Sequence, residues 1–249
     1  MSKRWLIIAD AHLTCREPED EFFRMLDGVS RLPGDIGIIF LGDIFDLWIA
    51  LRGYENDDNR RFLDWCRKEK TKRQVVFLEG NHEFYVAETY PDAFSFCSGD
   101  TYQDGLLQWM HGDRINKQDH AYTILRFILR NRITRWFLRL IGPTFGPAFA
   151  HYVRERLRYT NQANKHFFPE SHALKLLTSS PPDSILFAGH FHDRLTKTAD
   201  GRRLEILPAY AAGDELAYYD PDAAELAVFP AARIAEVCNQ PTTQEAAES

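Results

Sequence analysis

The sequence predicts an α/β layered domain carrying an inserted helical segment, and three observations lead there. Short apolar runs of four to six residues alternate with amphipathic stretches through the first half. A long arginine-rich region of helical period then breaks the alternation. Strand-like runs resume after it and continue towards the end of the chain.

Taken in order, Trp5 to Ala9, Ile36 to Leu41, Val75 to Leu78 and Leu106 to Met110 read as buried strands. Between the first two, Phe22, Phe23, Leu26, Val29 and Leu32 recur at three- and four-residue steps, which predicts a helix over 20–32. Phe62, Leu63, Trp65 and Cys66 give 59–70 the same character. Residues 116–177 read as a helical cap divided by the breaker run Gly142-Pro143-Thr144-Phe145-Gly146-Pro147. After Pro181-Pro182 come Ile185 to Ala188, Arg194 to Thr198, a turn at Asp200-Gly201, Arg203 to Leu207, Ala217 to Tyr219 and Leu226 to Phe229. The last part looks like an antiparallel meander. The domain plan is therefore a core of 1–115 and 178–238, a cap of 116–177 and a polar, disordered tail of 239–249.

A chain of 249 residues with 45% hydrophobic content can bury a full core as one domain with an insertion. Cys15, Cys66, Cys97 and Cys238 are scattered without CxxC spacing, and the opening residues do not resemble a secretory leader, so a cytoplasmic location is expected. No run of eighteen apolar residues occurs, which excludes an ordinary spanning helix.

The net charge of −6 is unevenly spread. Between His120 and Thr160 there are eight arginines and one acid, Glu155, leaving that segment at +7 and the rest at −13. A basic segment on an acidic body calls for an anionic partner: phosphate, phospholipid or nucleic acid. Ile124, Leu125, Phe127, Ile128, Ile133, Trp136, Phe137 and Leu140 interleave with the arginines, as in helices that lie at a lipid headgroup layer. Peripheral contact with the cytoplasmic face of the membrane is expected on that basis. Nucleic acid ranks lower, since the apolar content exceeds what a backbone-tracking groove requires.

Five polar clusters each follow the carboxyl end of an apolar run: Asp10-Ala11-His12, Gly42-Asp43-Ile44-Phe45-Asp46, Gly80-Asn81-His82-Glu83, His111-Gly112-Asp113 and Gly189-His190-Phe191-His192. Layered α/β sheets build their sites at strand carboxyl ends, where loops from neighbouring strands converge on one crevice. Each cluster alone is a weak signal. Jointly, two aspartates, one asparagine and four histidines make a mixed oxygen and nitrogen donor set suited to manganese, iron or zinc rather than calcium.

In these five blocks the chain resembles the calcineurin-like metallophosphoesterases, whose pattern is Asp-x-His, Gly-Asp-x-x-Asp, Gly-Asn-His-Glu/Asp, His-Gly-Asp and Gly-His-x-His. The resemblance implies a metallo-dependent phosphatase-like β-sandwich: two mixed sheets flanked by helices. It implies that Asp10, His12, Asp43 and His192 hold one divalent ion and Asp43, Asn81, His111 and His190 a second, with manganese the first choice. His82, adjacent to a ligand, is suited to donate a proton to the leaving oxygen, beside Asp43 and Asn81 in the reaction. Asp46 and Asp113 are expected to orient His12 or His111.

A narrower resemblance joins Gly42-Asp43-Ile44-Phe45-Asp46-Leu47-Trp48-Ile49 and the arginine-rich cap to the UDP-2,3-diacylglucosamine hydrolases of lipid A synthesis. Residues matching that family's substrate contacts are Asn81, His82, Asp119, Thr160, Asn164, Lys165 and His190. The implied reaction cleaves the pyrophosphate of an acylated nucleotide sugar to UMP and diacylglucosamine 1-phosphate. Gly80-Asn81-His82-Glu83 departs from that family's usual Gly-Asn-Arg-Asp, Phe167 stands near an expected lysine, and Gly-His-Phe-His replaces Gly-His-Thr-His. Losing the arginine fork removes bidentate phosphate recognition. It favours, as the alternative, a phosphodiesterase or phosphomonoesterase of small nucleotides; a nuclease or a non-catalytic metal-supported binding protein ranks below.

Overall fold

A computed structural model of the chain describes residues 3–14, 20–115, 131–161 and 168–238. In chain order the elements are β1 (Trp5–Ile8), α1 (Asp20–Val29), β2 (Gly37–Phe40), β3 (Trp48–Ile49), α2 (Asp57–Glu69), β4 (Val75–Leu78), β5 (Glu83–Phe84), α3 (Val86–Thr89) and β6 (Phe96–Ser98). There follow β7 (Thr101–Asp104), β8 (Leu107–Met110), α4 (Arg132–Asn161), α5 (Glu170–Ser179), β9 (Ile185–Ala188), β10 (Leu195–Ala199) and β11 (Arg202–Ile206). The described chain closes with α6 (Tyr210–Gly213), β12 (Glu215–Asp220), β13 (Glu225–Pro230) and α7 (Ile234–Cys238).

Two mixed sheets face each other. The first has the order β13-β12-β1-β2-β4-β6, and the second β10-β11-β9-β8-β7. In the first sheet β1, β2, β4 and β6 run parallel while β12 and β13 are antiparallel additions. Alternation along β1 explains why its run is apolar throughout: Trp5 and Ile7 point between the sheets, whereas Leu6 and Ile8 point to the outer, helix-covered face. Trp5, Ile39, Val76 and Leu78 meet Trp109, Phe187, Leu207 and Tyr219 in the inter-sheet layer. On the outer face of the first sheet, α1, α2 and α7 contribute Phe22, Leu26, Phe62, Leu63 and Ile234. Asn56 caps α2 reciprocally with Asn59, which satisfies two otherwise free main-chain donors.

Several expectations are corrected. The strands after Pro182 do not form one meander: β10 and β11 close the second sheet, and β12 and β13 cross to the first. The breaker run does not divide the cap, because α4 continues through it from Arg132 to Asn161. Its two glycines face the core, so close packing overrides their weak helical preference. Residues 170–179 are not part of the cap either. Ala173 and Leu177 of α5 are buried on the outer face of the second sheet against Leu186, Leu204 and Ile206, which moves the core boundary to before Glu170. The short β3, β5, β6 and β7 carry too little signal for run length to mark them, being two to four residues long and, in β7, largely exposed. The expected tail over 239–249 lies outside the described residues.

Candidate metal centre

Four of the five clusters follow directly on the carboxyl ends of parallel strands β1, β2, β4 and β9, and the fifth follows β8 beside β9. β1 hydrogen-bonds to β2 and β8 to β9, and the strand ends of the two facing sheets bring all seven predicted ligands together. Asp10, His12 and His192 offer donor atoms within 4.8 Å of one another, and so do Asp43, His111 and His190. A third such group joins His12, Asp43 and His82. Asn81 completes the arrangement, its Oδ1 3.0 Å from His111 Nε2.

The two carboxylates are tied in the same way. Asp10 Oδ2 accepts the His190 N–H at 2.8 Å, leaving Oδ1 buried, without an aligned hydrogen bond, 3.4 Å from His192 Nε2. Asp43 Oδ1 accepts the His82 N–H at 2.9 Å, leaving Oδ2 3.3 Å from His111 Nε2 and 3.8 Å from His82 Nε2. One oxygen of each is thus fixed by main chain and the other faces imidazoles. The rings converge too: His12 Nε2 and His192 Nε2 stand 3.2 Å apart, and His190 Nδ1 and His111 Nε2 3.3 Å apart. Nitrogen lone pairs and carboxylate oxygens gathered at such separations fit divalent cations, and an orphaned buried carboxylate oxygen is what a cation would satisfy.

Local backbone explains how side chains so close in sequence reach a common point. Asp10, His12, Asp43, His190 and His192 all adopt positive φ, between 49° and 70°. Left-handed backbone in five non-glycine residues costs energy and clusters where structure serves chemistry. Glycines make room for it. A Cβ on Gly80 would fall 2.1 Å from Asp43 Oδ1, and one on Gly189 2.4 Å from Asp10 Oδ2.

The supporting contacts are mostly main chain. His111 Nδ1 lies 2.7 Å from the Leu41 carbonyl and must donate to it, which leaves Nε2 facing the site. His82 Nδ1 likewise donates to the Asp46 carbonyl at 2.5 Å, turning its Nε2 inward. Asp46 Oδ1 lies 3.6 Å from His12 Nδ1, while Asp113 is buried near His111 and His190 and acts on both through its charge.

Burial works against charge on His12, yet Asp46, Asp43 and Asp10 raise it to about 9. His111 is lifted in the same manner, against burial, by Asp43 and Asp10. Burial would also discharge Asp43, but His111, His82 and His12 hold it well below the usual carboxylate range. His190 goes the other way, pushed down to about 4 by burial and by the neighbouring His111. Imidazolium groups at 12 and 111 therefore offset the two carboxylates, and divalent cations binding there would displace those protons.

One residue of this centre has no counterpart among the predicted site residues. Glu83 is fully buried, and its Oε2 accepts from Asp43 N and Gly80 N, both at 2.7 Å. Its Oε1 accepts from Ile44 N at 2.7 Å and Phe45 N at 3.4 Å. The carboxylate thus clamps the Asp43 turn to the Asn81 turn. Burial and the charge of Asp43 push it up to about 8, and the N–H groups of Gly80 and Asp43 pull it back. The only signal in sequence was an acid following Asn81-His82. Asp119, Asn164 and Lys165 lie outside the described residues, and only the backbone of Thr160, near the end of α4, is described.

Two facing mixed sheets with buried aspartate and histidine groups at their strand ends define a metal-dependent phosphoesterase. The chain belongs to the calcineurin-like phosphoesterase family, whose model matches residues 3–194. It is 29% identical over 169 residues to a UDP-2,3-diacylglucosamine hydrolase of Pseudomonas aeruginosa, covering 64% of this chain and 66% of that one. The hydrolase of the same description from Pseudomonas entomophila is 30% identical over 149 residues, covering 54% and 58%. The match therefore spans less than two thirds of either relative's length. Among solved structures, a phosphoesterase from E. coli is similar at 11% identity and a TM-score of 0.41, covering 91% of this chain and 98% of that one.

Proposed function

We propose that the protein hydrolyses a pyrophosphate or phosphodiester bond, with UDP-2,3-diacylglucosamine the favoured substrate, giving UMP and 2,3-diacylglucosamine 1-phosphate. The observation that carries the lipid part of this reading is the exposed face of α4. Ile133 is 80% exposed, and Trp136, Phe137 and Leu140 follow it at helical spacing with Arg132 and Arg139 exposed beside them. An acylated, anionic substrate calls for such a surface, and so does contact with the cytoplasmic face of a membrane. Likeness to the Pseudomonas hydrolases adds support. No described helix is long and apolar enough to cross a membrane.

Asp10, His12, Asp43 and His192 would hold one cation, and Asp43, Asn81, His111 and His190 the other, with manganese first and iron or zinc as alternatives. When bound, the two cations supply charge that neutralises the phosphoryl oxygens and lowers the pKa of an attacking water. Asp43, fixed through its Oδ1 and through Glu83, sets the spacing between the two groups of ligands. His82 has Nδ1 committed to the Asp46 carbonyl, which turns Nε2 towards the ligand groups and suits it to act on the leaving oxygen. Asn81 offers a side-chain amide to the same phosphoryl group.

A second reading is favoured by His82 itself: a compact imidazole, where the lipid-cleaving relatives' pattern has a planar guanidinium, suits a small nucleotide ester. The manganese-loaded protein is to be assayed against UDP-2,3-diacylglucosamine and bis(p-nitrophenyl) phosphate. Release of UMP from the lipid supports the first reading; cleavage of the small ester with none of the lipid overturns it. Co-sedimentation with anionic vesicles tests the membrane contact, and its absence at low salt removes it.

A further inference from the structure

The ribbon formed by β3 and β5 is only two residues wide per strand, yet it separates two functions. Trp48 N donates to the His82 carbonyl and Ala50 N to the Phe84 carbonyl, so the ribbon is the direct continuation of the Asp43 and Asn81 turns. Side chains alternate across it. On the inner side Trp48 enters the main core and Glu83 binds the N–H groups of Gly80, Asp43 and Ile44. On the outer side Ile49 and Phe84, with Leu47, Leu51, Tyr54 and Tyr85, pack on Leu138 and Ala150 of α4.

The seat of α4 on that outer side is unusually close. A Cβ on Gly142 would fall 2.6 Å from Tyr54 Cε2 and 2.9 Å from the Arg52 carbonyl oxygen; one on Gly146 would fall 2.8 Å from the Gly53 carbonyl oxygen. The two glycines, one turn apart, form a notch for the Tyr54 ring. The Tyr54 hydroxyl donates to the Leu138 carbonyl at 2.9 Å. A little further along, Arg135 pairs with Glu88 and lies over the Tyr85 ring.

We propose that Tyr54, held in the Gly142 and Gly146 notch, is a positioning residue that fixes α4 relative to the ligand-bearing turns and thereby tunes recognition of the substrate beyond its phosphate. The hydrolytic centre stays independent of it, because the contacts that hold Asp43 leave the opposite face of the ribbon. Substrate contact by α4 rests on the function proposed above; the mechanical separation does not.

Three variants of the full chain loaded with manganese test this: Tyr54→Phe, which keeps the ring and loses the hydroxyl, Tyr54→Ala, and Gly146→Ala, which forces the Gly53 backbone away. Each is to be measured for kcat and KM on bis(p-nitrophenyl) phosphate and on UDP-2,3-diacylglucosamine, and for manganese affinity. Expected for Tyr54→Ala and Gly146→Ala are small-ester kinetics and metal affinity within about twofold of the parent, with a rise in KM for the lipid of about tenfold. Tyr54→Phe falls between. A parallel loss on both substrates, or no change on either, overturns the proposal. If the parent itself leaves the lipid intact, the substrate reading has failed, and hydrogen exchange decides the separation alone. Faster exchange in α4 of Tyr54→Ala with unchanged protection over residues 80–84 supports it; equal loss in both overturns it.

Discussion

Replacing Glu83 by glutamine removes one acceptor oxygen and alters almost nothing else in shape. Both carboxylate oxygens of Glu83 receive main-chain N–H groups, so no orientation of the amide avoids a conflict. Turned one way, the new NH2 faces Asp43 N and Gly80 N; turned the other, it faces Ile44 N and the more distant Phe45 N. Two buried donors lose their acceptor in either case. At about 1–3 kcal/mol for each buried donor left unsatisfied, the loss is about 2–6 kcal/mol, a large part of the ~5–15 kcal/mol that holds a typical domain folded. The effect is greatest with metal bound, since cations neutralise Asp43 and so remove the charge that pushes Glu83 up. Urea unfolding of manganese-loaded parent and Glu83→Gln, followed by tryptophan fluorescence, reads it directly. With a slope of about 3 kcal/mol per molar urea, the midpoint falls by roughly 1–2 M. Manganese affinity weakens with it, because Asp43 loses its backbone anchor. A midpoint within about 0.2 M of the parent, together with unchanged metal affinity, refutes the clamp.

Manganese binding tightens as pH rises from 6 to 9, since His12, raised to about 9, holds its proton through most of that range, His111 is raised as well, and both must lose protons to coordinate. Calorimetry in buffers of different ionisation enthalpy is expected to show proton release at pH 7, and a pH-independent affinity contradicts this. His82→Ala is expected to lower kcat by about 10²–10⁴-fold with two metals still bound, as fits loss of an acid rather than of a ligand; kinetics with metal analysis separates the two. Gly80→Ala cannot accommodate its methyl against Asp43 Oδ1 and is expected to lose metal in elemental analysis while retaining its far-ultraviolet circular dichroism.

The gathering of the seven candidate ligands was legible because their residue types are rare in combination and sit at strand ends, a position that apolar runs such as Trp5 to Ile8 and Val75 to Leu78 mark clearly. The architecture of the first half followed from the same runs. What escaped was whatever depends on a partner distant in sequence. Glu83 is an acid after a ligand block, and only the approach of the Asp43 turn reveals its hydrogen bonds. The run from Gly142 to Pro147 has the local chemistry of a break, yet the helix runs through it with both glycines packed against Tyr54 and the carbonyl oxygens of Arg52 and Gly53. Residues 170–179 share the helical period of the segment before them, and nothing local tells which surface Ala173 and Leu177 cover.

The left-handed backbone at Asp10, His12, Asp43, His190 and His192 bears on any attempt to make this protein more robust. Judged by backbone conformation alone, glycine suits those five positions better than the residues that occupy them. A procedure that scores backbone strain would thus single out the proposed ligand positions, so selection for durability must hold these five sites fixed and seek its gains elsewhere.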